Sequence, residues 1–112
     1  MAADATQTEA ILLVDQRDGI ATVTLNRPRQ YDALSQALLL ELRDAFTALA
    51  KDENVRVVIL TGSGKAFCAG HDLKEIRASD DAGTHHALFS LCSEVMLQIT
   101  RLPQPVIAAV NG

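Results

Sequence analysis

The sequence has little cysteine, no long hydrophobic run and no strong excess of charge of one sign. Its 112 residues hold two cysteines, Cys68 and Cys92, with no C-x-x-C spacing. That excludes a disulfide-built scaffold and suits a reduced, cytoplasmic protein. No apolar run approaches the roughly 20 residues a membrane helix requires, so no membrane partner is expected. The opening Met1-Ala2-Ala3-Asp4 carries no basic stretch leading into an apolar one, so no secretory signal is read there. A net charge of −4 argues against a nucleic-acid surface. Internal repeats and low-complexity segments are also missing. What is present, 48% hydrophobic and 21% charged residues, is enough for one globular core.

Residues 1–9 are small and polar and are expected to fray. The apolar run Ala10 to Val14 and the β-branched run Ile20 to Leu25 flank Asp18-Gly19, a turn pair, and predict a hairpin. Ala21, Val23 and Leu25 share one face of its second strand. Asn26-Arg27-Pro28 ends that strand, because proline cannot continue a central ladder. Ser35 reads as a helix N-cap, with Leu34 and Leu39 as a hydrophobic staple. Leu38, Leu42, Ala45, Phe46 and Leu49 then recur at helical spacing as far as Ala50.

Val55 to Leu60 is apolar without alternation, the pattern of a strand covered on both faces. Asp72 and Glu75 stand in the relation of a capping box and predict a short helix from Asp72. Ser79 to Gly83 reads as a loose polar link. Leu88, Leu91, Cys92, Val95, Ile99 and Leu102 predict a second long amphipathic helix, stopped by Pro103. Val106 to Val110 reads as another strand buried on both faces, with a turn opening at Asn111-Gly112. The order β-β-α-β-α-β indicates an α/β fold with largely parallel core strands. Strands buried on both faces need cover, so the chain is expected to be the N-terminal part of a longer protein.

The chemically informative stretch runs from Thr61 to Glu75, between a strand and a helix. Glycines there allow left-handed backbone and close approach of a ligand, and N–H groups entering a helix start can hold an anion. A phosphate loop, G-x-x-x-x-G-K-S/T, fails at both ends, since Ile59 stands at the first glycine and Ala66 at the hydroxyl. The dinucleotide pattern G-x-G-x-x-G fits Gly62 and Gly64 but meets Phe67 at its third glycine. Cys68, His71 and Asp72, with His85-His86 further on, do not have the spacing of a zinc frame, so no metal is expected. A nucleophilic pair of Cys68 with a histidine is no better supported.

The residues resemble the crotonase, or enoyl-CoA hydratase/isomerase, superfamily. The stretch from Gly64 to Leu73 is similar to that family's oxyanion and CoA-binding loop. Thr24 to Pro28 and Asp32 to Ser35 resemble its opening block, where members usually carry asparagine in place of Asp32. Arg101 to Gly112 resembles the helix end and strand before a second oxyanion donor. Together these motifs cover residues 10–112, and the Gly70 to Glu75 wording is similar to one subgroup of hydratase-domain proteins.

The resemblance implies the N-terminal part of a spiral of β-β-α units, with 1–9 a flexible lead and 10–112 an incomplete domain. It implies acyl-CoA thioesters as substrates, an enolate stabilised by an oxyanion hole, and hydration of a 2-enoyl-CoA as the leading chemistry. Isomerisation, hydrolysis and decarboxylation stay open. By position, the backbone N–H of His71 is the first oxyanion donor, and its imidazole is not required. Arg29 and Lys74 are candidates for the CoA phosphates. Ala33 and the backbone of Ala66, Ala69, Gly70, His71, Asp72 and Leu73 would border pantetheine and adenine, with Tyr31 flanking the entry. The family's acid/base glutamates match no residue here, and Glu75 and Glu94 read as capping or solvated groups. No cofactor beyond coenzyme A within the substrate is implied, and the family's trimers or hexamers imply a homo-oligomer. The rival reading is a non-catalytic module that binds acyl-CoA or self-associates.

Overall fold

A computed structural model of the chain describes residues 10–112, so the fraying expected of residues 1–9 lies outside the described part. Strands β1 (Leu12–Arg17) and β2 (Ile20–Leu25) form the expected hairpin, in which Leu12 faces Leu25 and Arg17 faces Ile20. Asp18 and Gly19 both have positive φ, 53° and 82°, as a two-residue turn matched to strand twist requires. The first strand begins at Leu12 rather than Ala10 and runs on through polar residues to Arg17, because pairing with β2 carries it past the end of the apolar run.

Helix α1 (Gln36–Ala50) starts where the Ser35 side chain accepts the Leu38 N–H. Strand β3 (Val57–Gly62) pairs in parallel with β2, and β4 (Val106–Ala109) pairs in parallel with β3. Between them lie α2 (Leu73–Arg77) and α3 (Ala82–Arg101). Helix α3 begins inside the stretch expected to be loose, because the Asp81 carboxylate accepts the Gly83 N–H and caps it. Leu102 is extended, as the residue before Pro103 must be, and the helix stops there. The sheet order is β1-β2-β3-β4.

The inward row of β2, Ala21, Val23 and Leu25, joins Val58, then Leu38, Leu39, Leu42, Phe46 and Leu49 of α1, and Leu88, Leu91 and Val95 of α3, in one buried cluster. Burial on both faces of β3 and β4 does not hold. Val58 is fully buried, but Ile107 is 53% and Val110 67% exposed. The physical reason is that the core reaches only Val58, Leu60 and Val106 on one side of the sheet, and leaves Ile107, Ala108 and Ala109 exposed on both faces of β4. Those strands are uniformly apolar, and apolar composition alone does not say how many faces are covered. Among the described residues no helix is long and apolar enough to cross a membrane.

Candidate active site

The site is built where the segment after β2 meets the segment before α2. Pro28 opens a short 3-10 turn, Pro28–Gln30, and the backbone then passes through two consecutive left-handed residues, Tyr31 (φ 52°) and Asp32 (φ 55°). Such a run is costly for ordinary side chains, and Asp tolerates it by bonding locally. Here Asp32 Oδ1 accepts the Arg27 N–H at 2.7 Å, while the Asp32 N–H donates to Arg27 O at 2.9 Å. The side chain of Asp32 is wholly buried. Burial pushes its carboxyl above the ordinary range, against the opposing pull of the Arg27 N–H and of Ser63. Gly62 lies alongside: a Cβ there would stand 2.7 Å from Asp32 Oδ2 and 2.9 Å from Ala66 O, and closer still to Phe67 O. Only glycine fits that crossing.

The second segment lays itself against the first. The Ala69 N–H donates to Tyr31 O at 3.0 Å, the Leu34 N–H to Gly70 O at 2.7 Å, and the Asp72 N–H to Leu34 O at 3.0 Å. The last two bonds make a single parallel bridge between Leu34 and His71. In a parallel bridge one residue uses both its N–H and C=O toward its neighbour, and the residue opposite directs its own away. Leu34 is the residue that uses both, so the His71 N–H points out of the bridge. Among the described residues it donates to no acceptor. Gly70, at φ 96° with open space around it, is required for its conformation and not for room.

Asp72 caps α2 as expected, with Oδ1 accepting from Lys74 N at 3.1 Å and Glu75 N at 3.3 Å. The other half of the capping box goes elsewhere. Glu75 accepts the Gln36 N–H at 2.7 Å and so caps α1, because the Asp72 N–H is already bonded to Leu34. Asp72 Oδ2 takes the Arg27 guanidinium at 3.0 Å. Burial would raise the Asp72 carboxyl, but Arg27 and the Glu75 and Lys74 N–H groups outweigh it and hold it below the ordinary range.

Beside His71 lies an open groove of about 470 Å³, lined by His71, Phe89, Cys92, Ser93, Met96 and Leu97. The His71 ring stands edge-on to Phe89 with centroids 4.8 Å apart, and its Nδ1 is buried without a hydrogen-bond partner. Burial, helped by the neighbouring Cys68 sulfur, pushes the Cys92 thiol up, so it stays protonated. The Cys68 sulfur accepts the Gly70 N–H at 3.4 Å. No carboxylate lines this groove among the described residues. Glu94 lies 3.9 Å from Arg43 on the exposed side of α3. Nor, among the described residues, do three His, Cys, Asp or Glu side chains converge as metal ligands would.

Of the residues read from sequence, Tyr31, Ala69, Gly70, His71 and Asp72 come together at the bridge, and Ala33 is buried behind it. Ala66 is half-buried at the Gly62 crossing. Leu73 is exposed at the start of α2. Arg29 and Lys74 are exposed and form no ion pair among the described residues. Sequence reasoning placed Arg27 in a strand breaker and in the opening block but gave it no role in the site, because its partner is 45 residues away. It also missed Phe89, Ser93, Met96 and Leu97. Their signal was available: with Cys92 they form a second stripe at helical spacing, beside the core stripe of Leu88, Leu91 and Val95.

Comparison with known proteins identifies the family and agrees with the fold. The family model described as enoyl-CoA hydratase/isomerase matches residues 15–112. Enoyl-CoA hydratase domain-containing protein 3, mitochondrial, of Rattus norvegicus is 41% identical over 97 residues, covering 87% of this chain and 32% of that protein. Arabidopsis thaliana has a relative named probable enoyl-CoA hydratase 1, peroxisomal, 36% identical over 110 residues, covering 97% of this chain and 40% of that one. The crystal structure of an enoyl-CoA hydratase from Mycobacterium smegmatis superposes with a TM-score of 0.90 at 55% identity, over 93% of this chain and 41% of that one. The chain therefore spans roughly a third to two-fifths of the length of these relatives. With the family model matched over residues 15–112 and the fold shared with that hydratase structure, this chain belongs to the enoyl-CoA hydratase/isomerase family.

Proposed function

We propose that this chain supplies one oxyanion donor and the CoA-facing loops of an enzyme that hydrates 2-enoyl-CoA thioesters. The observation that carries the reading is the His71 N–H, left unbonded by the Leu34 bridge and held in a fixed direction. Addition to an enoyl thioester, or removal of its α-proton, passes through an enolate whose oxygen becomes negative. A preorganised N–H aimed at that oxygen lowers the barrier by about 3 kcal/mol. Arg29 and Lys74, exposed and without ion-pair partners among the described residues, suit the CoA phosphates. Ala33, Ala66 and Ala69 allow the pantetheine to approach the backbone, and Tyr31 flanks the entry. Coenzyme A enters as part of the substrate, with no separate cofactor. A homo-oligomer, trimer or hexamer, in the cytoplasm belongs to the same reading.

Hydration also needs a group to position water and to deliver a proton to the α-carbon. The groove beside His71 offers no carboxylate for this among the described residues. The 112 residues by themselves are therefore expected to bind an acyl-CoA without turning it over. That same observation favours the second reading, a non-catalytic acyl-CoA-binding module.

Acetoacetyl-CoA, whose enolate mimics the intermediate, is the probe for both readings. Its binding should shift the His71 amide resonance of the chain. A His71→Ala variant, which keeps the N–H, should retain most of the affinity. A His71→Pro variant should lose it, since proline has no N–H to donate. Loss of binding in a folded His71→Ala variant would transfer the role to the imidazole. Hydration of crotonyl-CoA by the purified chain, above a buffer control, would refute the expected inactivity.

A further inference from the structure

The Leu34–His71 bridge is a single residue pair with no ladder on either side. Two backbone bonds make it, and they set the direction of the His71 amide. Gly70 O accepts from Leu34 N at 2.7 Å, and across a planar trans peptide the His71 N–H must point opposite to that carbonyl. Whatever holds Leu34 and Asp72 in place therefore aims the donor. One side chain reaches both flanks. Arg27 donates through Nη1 to Ala33 O, next to Leu34, and through Nη2 to Asp72 Oδ2 at 3.0 Å, next to His71. The two side chains of this ion pair are only 15% and 14% exposed, so salt and water screen it little.

We propose that the Arg27–Asp72 pair is the positioning element of the oxyanion loop, a clamp whose forked guanidinium fixes both flanks of the bridge and so the direction of the His71 N–H. This rests on the reading of His71 as an oxyanion donor. Neither residue touches the reacting atoms. The fork is what matters: lysine can carry the charge but, as a point donor, cannot grip two acceptors in one plane. Asp72 has separable duties, because Oδ1 caps α2 while Oδ2 faces Arg27. An asparagine caps as well as an aspartate and cannot pair with Arg27 as a charge, so Asp72→Asn removes the clamp and keeps the helix start.

The test uses amide hydrogen exchange by NMR on the chain, with acetoacetyl-CoA added in a second step. In Asp72→Asn and Arg27→Met, exchange at the Leu34 and Asp72 amides should speed up about tenfold or more, as expected for loss of a charge-assisted bond. Core amides such as Val23 and Val58 should keep their rates. Arg27→Lys should recover part of the protection, and the shift of the His71 resonance on adding acetoacetyl-CoA should weaken in the same order. Unchanged exchange at Leu34 and Asp72 in both Asp72→Asn and Arg27→Met would overturn the clamp, as would an equal rise at the core amides. Failure of the functional reading looks different. The unsubstituted chain would then show no His71 shift with acetoacetyl-CoA, while the exchange rates, which need no ligand, still decide the clamp.

Discussion

Replacing Asp32 by asparagine should make this protein more stable. The carboxyl is fully buried, and only one of its oxygens is satisfied: Oδ1 takes the Arg27 N–H, while Oδ2 has no hydrogen-bond partner. Ser63 approaches it without completing a hydrogen bond, and its own Oγ is likewise unpartnered. A buried carboxylate oxygen without a partner keeps its full desolvation cost. An asparagine keeps the acceptor for Arg27, sheds the charge and puts a donor beside the unpartnered Ser63 Oγ. It also tolerates the left-handed backbone at position 32. Relieving one buried unsatisfied acceptor contributes about 1–2 kcal/mol. For a domain of this size each kcal/mol raises Tm by about 4–8 °C.

The pH dependence of that gain has a definite sign. Burial raises the folded-state value of Asp32 above its ordinary 3.8. The folded chain therefore binds this proton more tightly than the unfolded chain does. Stability from Asp32 is fully present below the unfolded value and is lost as pH rises through the folded one. Asparagine does not titrate. The advantage of Asp32→Asn should be largest at neutral pH and shrink on acidification, reaching its smallest value below about pH 4. Thermal unfolding of both proteins, followed by circular dichroism across that range, measures it, and the other acidic groups cancel in the difference. A destabilised Asp32→Asn at neutral pH, or a gap that does not change with pH, would refute the reasoning.

Asp72 should behave in the opposite sense. Its folded value is lowered, so its stability contribution is present above the unfolded value and lost as pH falls through the folded one. Urea unfolding of Asp72→Ala should show a cost of about 1–2 kcal/mol at neutral pH that fades in acid, and a cost independent of pH would contradict this. Gly62→Ala should destabilise by about 1–3 kcal/mol, since a Cβ there meets backbone carbonyls that cannot swing aside, and an unchanged Tm would show the crossing to be loose. Phe46→Ala, at a fully buried position of α1, should cost about 3–5 kcal/mol in the same assay. Light scattering across a dilution series should show self-association through the exposed apolar row that includes Ile107, reduced by Ile107→Lys. A sharp mass of 12.0 kDa at all concentrations would argue against it.

What was legible in the sequence was local. Asp18-Gly19 announced its turn, Ser35 its helix and Pro103 its stop, because each acts on residues within one turn of itself. The capping box at Asp72 was half right for the same reason. Asp72 caps its own helix, but Glu75 is drawn to Gln36, 39 residues away, and no short-range pattern encodes that choice. The burial of β4 was misjudged because apolar residues on both faces record a demand for cover and not its supply. Within the site, the His71 amide was reached through a motif. The bridge that orients it needed the fold, since the parallel pairing of β3 with β2 is what brings His71 to Leu34.

That one-residue bridge also has a consequence for the order in which the chain folds. The β1–β2 hairpin and α1 are made of contacts close in sequence and are expected to form early, whereas the parallel pairing of β3 with β2 spans a helical crossover and is expected to form later. The bridge is expected later still, because Gly70 and Asp72 follow β3 and reach Leu34 through its placement. A collapsed chain holding only the hairpin and the first helix has most of its Leu and Phe core in hand and no direction for the His71 N–H. Binding of an enolate mimic should therefore appear late in refolding, after the signal of secondary structure is complete.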